Sequence, residues 1–370
     1  MLRDKPEGAT VEEIRCELTR QLGETAGSSV RSYLRLNTPG AFMRLGRGRY
    51  AFVESGRVRE ETQPSFSWVE TSKINGLRSK APDSFQFGRS TLIQGDCFAW
   101  LETRAAQSIH AVVTDPPYGL VEYSEREQAK LRAGRGGVWR IPPNFDGHPR
   151  SPLPRFTVLS AADLRALDRF FHSWSCAILR VLVPGGHVVV ASNPLVSYAV
   201  AAAAVRGGLE RRGEVIRLTM TMRGGDRPKA AHEEFGEVSV MPRSMWEPWL
   251  IFRKPIHGRV QDNLRKWRTG GFRRPSKAQP FGDVIASSPT RAAERKLAPH
   301  PSLKPQAFLR KIVRAVLPLG EGIVLDPFAG GGSTLAAAEV VGYESIGIEH
   351  DADYFRVACA GIPRLAALQV

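Results

Sequence analysis

Short apolar runs bounded by turn residues recur along the chain from residue 91 onward. Stretches with apolar residues at helical spacing lie between several of them, such as Leu164 to Val183 and Thr334 to Val341. The alternation of strand and helix predicts an α/β fold, in which a mostly parallel sheet carries helices on both faces. The predicted strands are Thr91 to Gln94, Ala111 to Thr114, His187 to Ala191, Trp249 to Phe252, Ile323 to Leu325 and Ser345 to Ile348.

Residues 1–60 follow a different pattern, which predicts a small separate domain. Thr10 is placed to cap a helix, with Glu13 three residues later and Val11, Ile14 and Leu18 at helical spacing. A second helix is expected over residues 28–34, followed by a hairpin whose tip is Arg47-Gly48-Arg49. Helices followed by such a hairpin resemble a winged helix-turn-helix domain that binds DNA, and the alternative is a docking domain with a solvated basic loop. The polar residues 61–90 are interpreted as a linker.

Composition indicates a polyanionic partner and argues against membrane spans, zinc sites and disulfides. The formal net charge of +15 favours a polyanionic partner, because phosphate contacts by Lys and Arg release condensed counterions. No apolar run approaches the roughly 18 residues that a membrane span needs. The four cysteines are far apart and have neither zinc nor disulfide spacing, so we expect reduced thiols and no metal site.

One motif combines a strand, a glycine-rich turn and a helix. An apolar strand ends at Asp326, Pro327-Phe328-Ala329-Gly330-Gly331-Gly332 follows, and a helix begins near Ser333 or Thr334. Glycine lets the backbone approach a ligand closely. The next strand ends at Glu349, which is placed to hydrogen-bond ribose hydroxyls. The order predicts a nucleoside-containing cofactor, and the alternative is a tight turn without a ligand.

A second motif, Asp115-Pro116-Pro117-Tyr118, follows the strand Ala111 to Thr114. The two prolines fix the backbone and leave carbonyl oxygens as acceptors. A carboxylate and a rigid carbonyl can hold the two hydrogens of a nucleobase amino group, which frees its delocalised lone pair. Tyr118 offers a flat face on which an extruded base can stack. A turn after a buried strand is the alternative.

The two motifs together resemble the amino-group DNA methyltransferases of the β class, in which the catalytic motif precedes the cofactor motif. The resemblance spans about residues 91–368 and implies S-adenosylmethionine as cofactor. Members with Asp in the tetrapeptide usually modify adenine, so it also implies N6-adenine methylation of double-stranded DNA by base flipping and direct in-line transfer. The catalytic residues implied are Asp115, Pro116, Pro117 and Tyr118, and the cofactor residues are Asp326, Phe328, Gly330, Gly332, Ser333, Thr334 and Glu349.

Two further segments fit this resemblance. His300 and Lys304 lie in a segment similar to the one that helps hold the methionine end of the cofactor, and Asp96 belongs to a short Gly-Asp element beside the pocket. The implied methyltransferase domain, 91–370, has a catalytic region at 91–222 and a cofactor-binding region at 300–370. Residues 120–155 and 223–299 are then inserts that recognise the target.

A basic segment inside the second insert is expected to contact DNA. From Ile251 to Lys277 the chain has nine Lys or Arg residues and one acid, interleaved with Trp267 and Phe272. Phosphate contacts would position the DNA and groove contacts would specify the sequence. A solvated basic loop is the alternative.

Other functions remain open from sequence. They are N4-cytosine methylation, adenine methylation in RNA, and a DNA-binding regulator with an inactive methylase domain. A glutamine-directed protein methyltransferase usually has Asn first in the tetrapeptide and an earlier cofactor motif. Methylation at carbon-5 of cytosine would need a Pro-Cys, which the sequence lacks. A homodimer and a cognate restriction endonuclease encoded by another chain are compatible with these motifs, and we expect a cytoplasmic, nucleoid-associated protein without a membrane span.

Overall fold

The computed structural model describes residues 9–22, 30, 34, 42–46, 49–52, 83–117, 161–223, 227–228, 230–242 and 244–370, with side-chain detail missing at a few of them. The chain divides into two compact units, residues 1–78 and 79–370. Within the described ranges, no helix is long and apolar enough to cross a membrane.

The first unit contains a three-stranded sheet and a helix. Its elements are β1 (Ala9–Thr10), α1 (Val11–Leu22), β2 (Phe42–Gly46) and β3 (Arg49–Phe52), and the strand order is β1-β3-β2, all antiparallel. The Thr10 hydroxyl accepts from the Glu13 N–H at 3.2 Å, and the Thr10 N–H donates to the Glu13 carboxylate at 2.7 Å. The predicted cap of α1 and the predicted hairpin are therefore confirmed. The tip residues Arg47 and Gly48, and most of residues 28–34, lie outside the described residues.

The second unit is built on a nine-stranded sheet. In chain order its elements are β4 (Ser84–Phe87), β5 (Ser90–Gln94), α2 (Cys97–Thr103), β6 (Ile109–Thr114), α3 (Ala161–Val181), β7 (Leu182–Ala191), α4 (Ser197–Arg206), β8 (Glu210–Arg223), β9 (Ser244–Arg253), α5 (Val260–Trp267), β10 (Val284–Ala286), α6 (Ala292–Leu297), α7 (Gln306–Val316), β11 (Ile323–Asp326), α8 (Ser333–Val341), β12 (Glu344–Glu349) and α9 (Ala352–Ala366).

The strand order is β10-β8-β9-β7-β6-β11-β12-β5-β4. The pairs from β7 through β6, β11 and β12 to β5 are all parallel, whereas β4 and β9 run antiparallel to their neighbours. The predicted α/β architecture with a mostly parallel sheet is confirmed. The five central strands consequently end along one edge, which we call the carboxyl edge, and begin along the other, the amino edge.

Helices cover both faces of the sheet, as predicted. On β6, Val112 packs in a cluster with Phe171, Trp174 and Ile178 of α3. The alternating residues Ala111 and Val113 pack on the other face, in a cluster that includes α7. All ten residues of β7 are buried, because a strand covered on both faces places both sets of side chains in the core.

The predicted boundary between linker and methyltransferase domain is wrong. Ser84–Phe87 was assigned to the linker 61–90, but it forms β4 and pairs antiparallel with β5. Phe85 and Phe87 pack against the cluster formed by α8 and α9, and this burial orders the segment. Most of the linker lies outside the described residues.

Candidate active site

The two motifs lie side by side at the carboxyl edge. Asp115 follows β6 and Asp326 ends β11, and these two strands are parallel neighbours. The Thr114 hydroxyl donates to Asp326 Oδ1 at 2.7 Å. After β11 the chain continues to β12 on one side of this pair of strands, whereas after β6 it continues to β7 on the other side. Such a reversal of strand order is the place where open α/β sheets bind ligands.

Asp326 is the most deeply buried acid of the site, with 3% of its surface exposed. Burial raises its pKa to about 6, although hydrogen bonds from Thr334, Thr114 and the Phe328 N–H oppose the rise. The carboxylate therefore organises the turn after β11 through at least three donors.

The glycine turn is held in place by Glu349 at the end of β12. The Gly330 N–H donates to Glu349 Oε2 at 2.7 Å, and the Asp351 N–H donates to Oε1 at 2.8 Å. Burial raises the pKa of Glu349. Each carboxylate oxygen keeps acceptor capacity beyond one backbone donor. Glu349 thus braces the turn and remains placed for the ribose contact predicted from sequence.

The glycines of the turn are required for protein packing. Gly330 and Gly332 have φ of +52° and +78°. A Cβ on Gly332 would lie 2.4 Å from Ile362 Cγ1 of α9, and one on Gly330 would lie 2.9 Å from the His300 ring. The resemblance implies that Gly332 contacts the cofactor, and the position of its Cβ shows that a side chain here would meet α9 first.

The remaining cofactor-motif residues lie around the same turn. Ser333 and Thr334 begin α8 and are buried. The Ser333 hydroxyl has no hydrogen-bond partner among the described residues. Phe328 is half-buried, with its ring 6.0 Å from Phe170 and 6.2 Å from Trp174. The turn therefore combines an apolar wall with an unpartnered buried hydroxyl.

Two predicted residues on neighbouring loops have structural contacts. Asp96 caps α2, where its side chain accepts from the Ala99 N–H at 2.9 Å. His300 packs edge-on against Tyr354, with ring centroids 4.4 Å apart. Burial, and secondarily Lys304, lowers the pKa of His300 to about 4, so the ring is neutral at physiological pH.

The catalytic motif is described as far as Pro117. Asp115 is half-buried, Pro116 is buried and Pro117 is exposed, whereas Tyr118 lies outside the described residues. Lys304 Nζ donates to Asp115 Oδ2 at 2.5 Å. The resemblance implies that Lys304 holds the methionine end of the cofactor, which stays a prediction; in the structure its contact is with Asp115.

Sequence reasoning missed two charged residues behind Lys304. Lys304 Nζ also lies 3.2 Å from Glu247 Oε1, and Arg217 Nη1 lies 2.6 Å from Glu247 Oε2. Arg217 and Glu247 face each other across β8 and β9. Regular alternation from Ile216 to Met222 could have indicated β8, but nothing in the sequence pairs Arg217 with Glu247.

The basic segment expected to contact DNA lies away from this site. Strand β9 runs antiparallel to β7 and reaches the amino edge at Arg253. Residues 254–273 then pack along that edge, where Asn263 Nδ2 donates to the Pro184 carbonyl at 3.0 Å and the Arg273 N–H donates to the Ala315 carbonyl at 2.8 Å. The insert 223–299 is therefore split, because residues 230–242 and α6 lie toward the carboxyl edge and residues 254–273 do not.

Several residues of the basic segment are also used inside the protein. Arg253 forms an ion pair with Glu210 at 2.6 Å, and Lys254 Nζ donates to the Leu179 and Leu182 carbonyls, each at 2.8 Å. Phe272 packs on His187, with ring centroids 4.2 Å apart. Phe272 therefore packs against the protein core, and its contact with nucleic acid stays a prediction.

Comparison with known proteins agrees with this site. The profile of the N6/N4 DNA methylase family matches residues 109–360, a span that includes both motifs. The chain belongs to the N6-adenine/N4-cytosine DNA methylase family, whose methyl donor is S-adenosylmethionine. It is a DNA methyltransferase.

Individual relatives have low sequence identity, but the alignments cover most of the length of each relative. The Type II methyltransferase M.HindIII of Haemophilus influenzae is 25% identical over 283 residues, 68% of this chain and 88% of the relative. The Escherichia coli protein YubD is 26% identical over 280 residues, 76% of this chain and 92% of the relative. Among solved structures, Thermus thermophilus TTHA0409 in complex with S-adenosyl-L-methionine has a TM-score of 0.46 at 21% identity, covering 76% of this chain and 95% of that one. The cytosine-N4-specific PvuII methyltransferase has a TM-score of 0.49 at 15% identity, covering 78% of this chain and 90% of that one.

Proposed function

We propose that this DNA methyltransferase modifies the N6 amino group of adenine in double-stranded DNA. The observation that carries the proposal is the hydrogen bond between Thr114 and Asp326, which places Asp115 directly beside the glycine turn. A base held at Asp115 and a methyl donor held at the turn would then meet at one edge of the sheet. The acid at the first position of the tetrapeptide supports adenine.

The residues of the carboxyl edge fit S-adenosylmethionine. Asp115, Asp326, Glu349 and Asp96 follow or end four adjacent strands, β6, β11, β12 and β5. A cationic sulfonium, an ammonium group and a ribose diol are matched by a row of carboxylates. The Ser333 hydroxyl, which has no hydrogen-bond partner within the part of the chain that is described, offers a further polar contact. Bound there, the cofactor supplies an activated methyl group.

The chain's own residues position the base. Asp115 and the Pro116 carbonyl accept the two amino hydrogens, which pulls the nitrogen lone pair out of the ring. Tyr118 stacks on the flipped base. The buried neighbours of Asp115 exclude water, so its hydrogen bonds to the amino group are stronger than in solvent. Most of the acceleration then comes from alignment of two bound reactants.

The test is product analysis of DNA methylated by the purified protein. Nucleoside chromatography is expected to show N6-methyladenine, and N4-methylcytosine as the product would contradict the proposal. RNA offered in parallel is expected to remain unmodified.

The Asp115→Ala variant is expected to lower methylation by about 10³-fold or more, since it removes an acceptor that acts on the reacting group. Its dissociation constant for S-adenosylmethionine should stay within about threefold of wild type. Glu344→Ala is the matched control, because Glu344 is an exposed acid at the amino edge. Appreciable turnover by Asp115→Ala would show that the carboxylate does not hold the target amino group.

A further inference from the structure

We infer that Lys304 is a positioning residue for the methyl transfer: held between Asp115 and Glu247, it keeps the Asp115 carboxylate ionised and oriented toward the target amino group. This deepens the proposed function and rests on it only in assigning the amino group to Asp115.

Four side chains of alternating charge form a row beside the carboxyl edge. Asp115, Lys304, Glu247 and Arg217 are linked in that order by contacts of 2.5, 3.2 and 2.6 Å. Their side chains are 18%, 15%, 21% and 6% exposed, respectively. Charges so shielded from water interact more strongly than surface pairs do. The two acids and two bases of this row sum to zero charge, so each charged side chain is stabilised by its neighbour.

The far end of this row is fixed to the sheet. Arg217 donates to the Ser287 hydroxyl at 3.1 Å and to the Ser288 carbonyl at 2.9 Å, and it lies over the Phe308 ring. Since Arg217 and Glu247 are direct cross-strand partners, the Glu247 carboxylate has a defined position. Glu247 therefore fixes the position of the Lys304 ammonium group, and Lys304 in turn contacts the Asp115 carboxylate.

The described groups around Asp115 include two further acids, which oppose its ionisation and which Lys304 offsets. Asp326 of β11 faces it from one side, and its pKa is raised by burial and, least of the causes, by Asp115. Glu247 of β9 lies beyond Lys304, and Arg217 of β8 lies beyond Glu247. His300 also lies near Lys304 but is neutral at physiological pH, as its lowered pKa requires. Burial opposes the charge on Lys304, yet Asp115 and Glu247 raise its pKa overall.

This arrangement predicts how the rate depends on pH. Asp115 accepts amino hydrogens more strongly when it is ionised, because protonation turns one of its two oxygens into a donor and removes the charge. Lys304 favours the ionised form by direct attraction. Without Lys304 this attraction is lost while Asp326 and Glu247 remain nearby, so the protonated form of Asp115 would persist to higher pH. An opposite charge at this distance typically shifts such an equilibrium by about 1 to 3 pH units.

The experiment measures single-turnover methylation against pH at saturating DNA and cofactor, for Lys304→Met, Lys304→Arg, Glu247→Gln and the surface control Lys311→Met. Lys304→Met is expected to move the acid limb of the rate profile upward by about 1 pH unit or more. Its rate near neutral pH should fall by about 10-fold to 100-fold. Lys304→Arg should return the acid limb to the wild-type position, and Lys311→Met should change neither quantity.

Glu247→Gln keeps the inference testable if Lys304→Met does not fold. With a single carboxylate left to hold, Lys304 should attract Asp115 at least as strongly, so the acid limb should stay in place or move to lower pH. The rate should nevertheless fall, because Lys304 loses its anchor. An upward shift of the acid limb in Glu247→Gln would overturn the inference.

Cofactor titration separates this role from the one predicted by resemblance. The dissociation constant of S-adenosylmethionine should stay within about twofold of wild type in Lys304→Met, because Lys304 contacts the base acceptor. A large loss of cofactor affinity with an unchanged rate and acid limb at saturation would instead place Lys304 at the methionine end. If wild type methylates cytosine N4, the proposed target is wrong, but the shift in Lys304→Met is still expected, since that reaction needs the same acceptor.

Discussion

The two edges of the sheet differ in how they use charge. At the carboxyl edge, acids end or follow neighbouring strands, and Lys304 lies among them. At the amino edge, residues 253–273 are rich in Lys and Arg, but Arg253, Lys254 and Arg268 bind carbonyls or carboxylates of the protein. A count of charges along the chain does not distinguish these cases. These three basic residues are used within the fold, whereas the proposed site of methylation lies at the carboxyl edge.

The largest expected effect concerns the glycine turn of the carboxyl edge. Gly332→Val would force a side chain into Ile362 and Ala358 at positive φ. Overpacking and backbone strain together are expected to lower the free energy of unfolding by about 3 kcal/mol or more. Thermal unfolding without cofactor measures this. Wild-type stability with selectively weakened cofactor binding would contradict the packing explanation and return Gly332 to the cofactor pocket.

A second prediction concerns the buried acid at this edge. The folded-state pKa of Asp326, about 6, lies above its ordinary 3.8, so the folded protein retains the proton to higher pH than the unfolded chain. The resulting stability is fully present below about pH 4 and is lost as the pH rises through about 6. Asp326→Asn keeps an acceptor at this position and has no such titration.

Denaturant unfolding of Asp326→Asn and wild type from pH 4 to 8 measures this difference. The free energy of unfolding of Asp326→Asn, relative to that of wild type, should increase as the pH rises to about 6 to 7 and then become constant. A difference that is constant with pH would mean that Asp326 titrates alike in both states.

A third prediction compares basic residues at the two edges directly. The double variant of α6, Arg295→Gln with Lys296→Gln, removes charge beside the carboxyl edge. It should weaken DNA binding roughly tenfold and reduce the slope of log affinity against log salt by up to about 2. The matched pair Lys266→Gln and Lys277→Gln, both exposed at or near the amino edge, should change neither quantity. Fluorescence anisotropy at several salt concentrations measures both, and equal losses would show that DNA also reaches the amino edge.

The smallest expected effect tests the first unit. Removing residues 1–60 should weaken DNA binding by several-fold through lost effective concentration, and the basic hairpin should contact phosphate. The salt dependence should become shallower, and the methylated sequence and the turnover at saturating DNA should stay the same. Methylation kinetics at several salt concentrations, with mapping of modified sites, measure this. A changed recognition site would show that this unit reads bases, whereas unchanged affinity would favour the docking-domain alternative.

The local pattern of apolar, polar and turn residues was sufficient to predict most of the strands and helices. The strands ending at Asp326 and Glu349, the strand before Asp115 and the cap of α1 by Thr10 were predicted within a few residues. Each depends on near neighbours in sequence: apolar alternation, turn residues and a capping side chain. Strand β4 was missed because its ordering comes from packing on α8 and α9, which lie more than 240 residues later.

The sequence by itself determined the α/β class, the order of the two motifs and the identity of the acids at the strand ends. Only the tertiary structure decided which charges meet. Asp115 and Lys304 are 189 residues apart in sequence, and Glu247 reaches them because β9 pairs antiparallel with β7 and β8. The same antiparallel strand carries the basic segment to the far edge. Strand direction is set by long-range pairing of the whole sheet, and it is this direction that separates the charges around Asp115 from the basic segment.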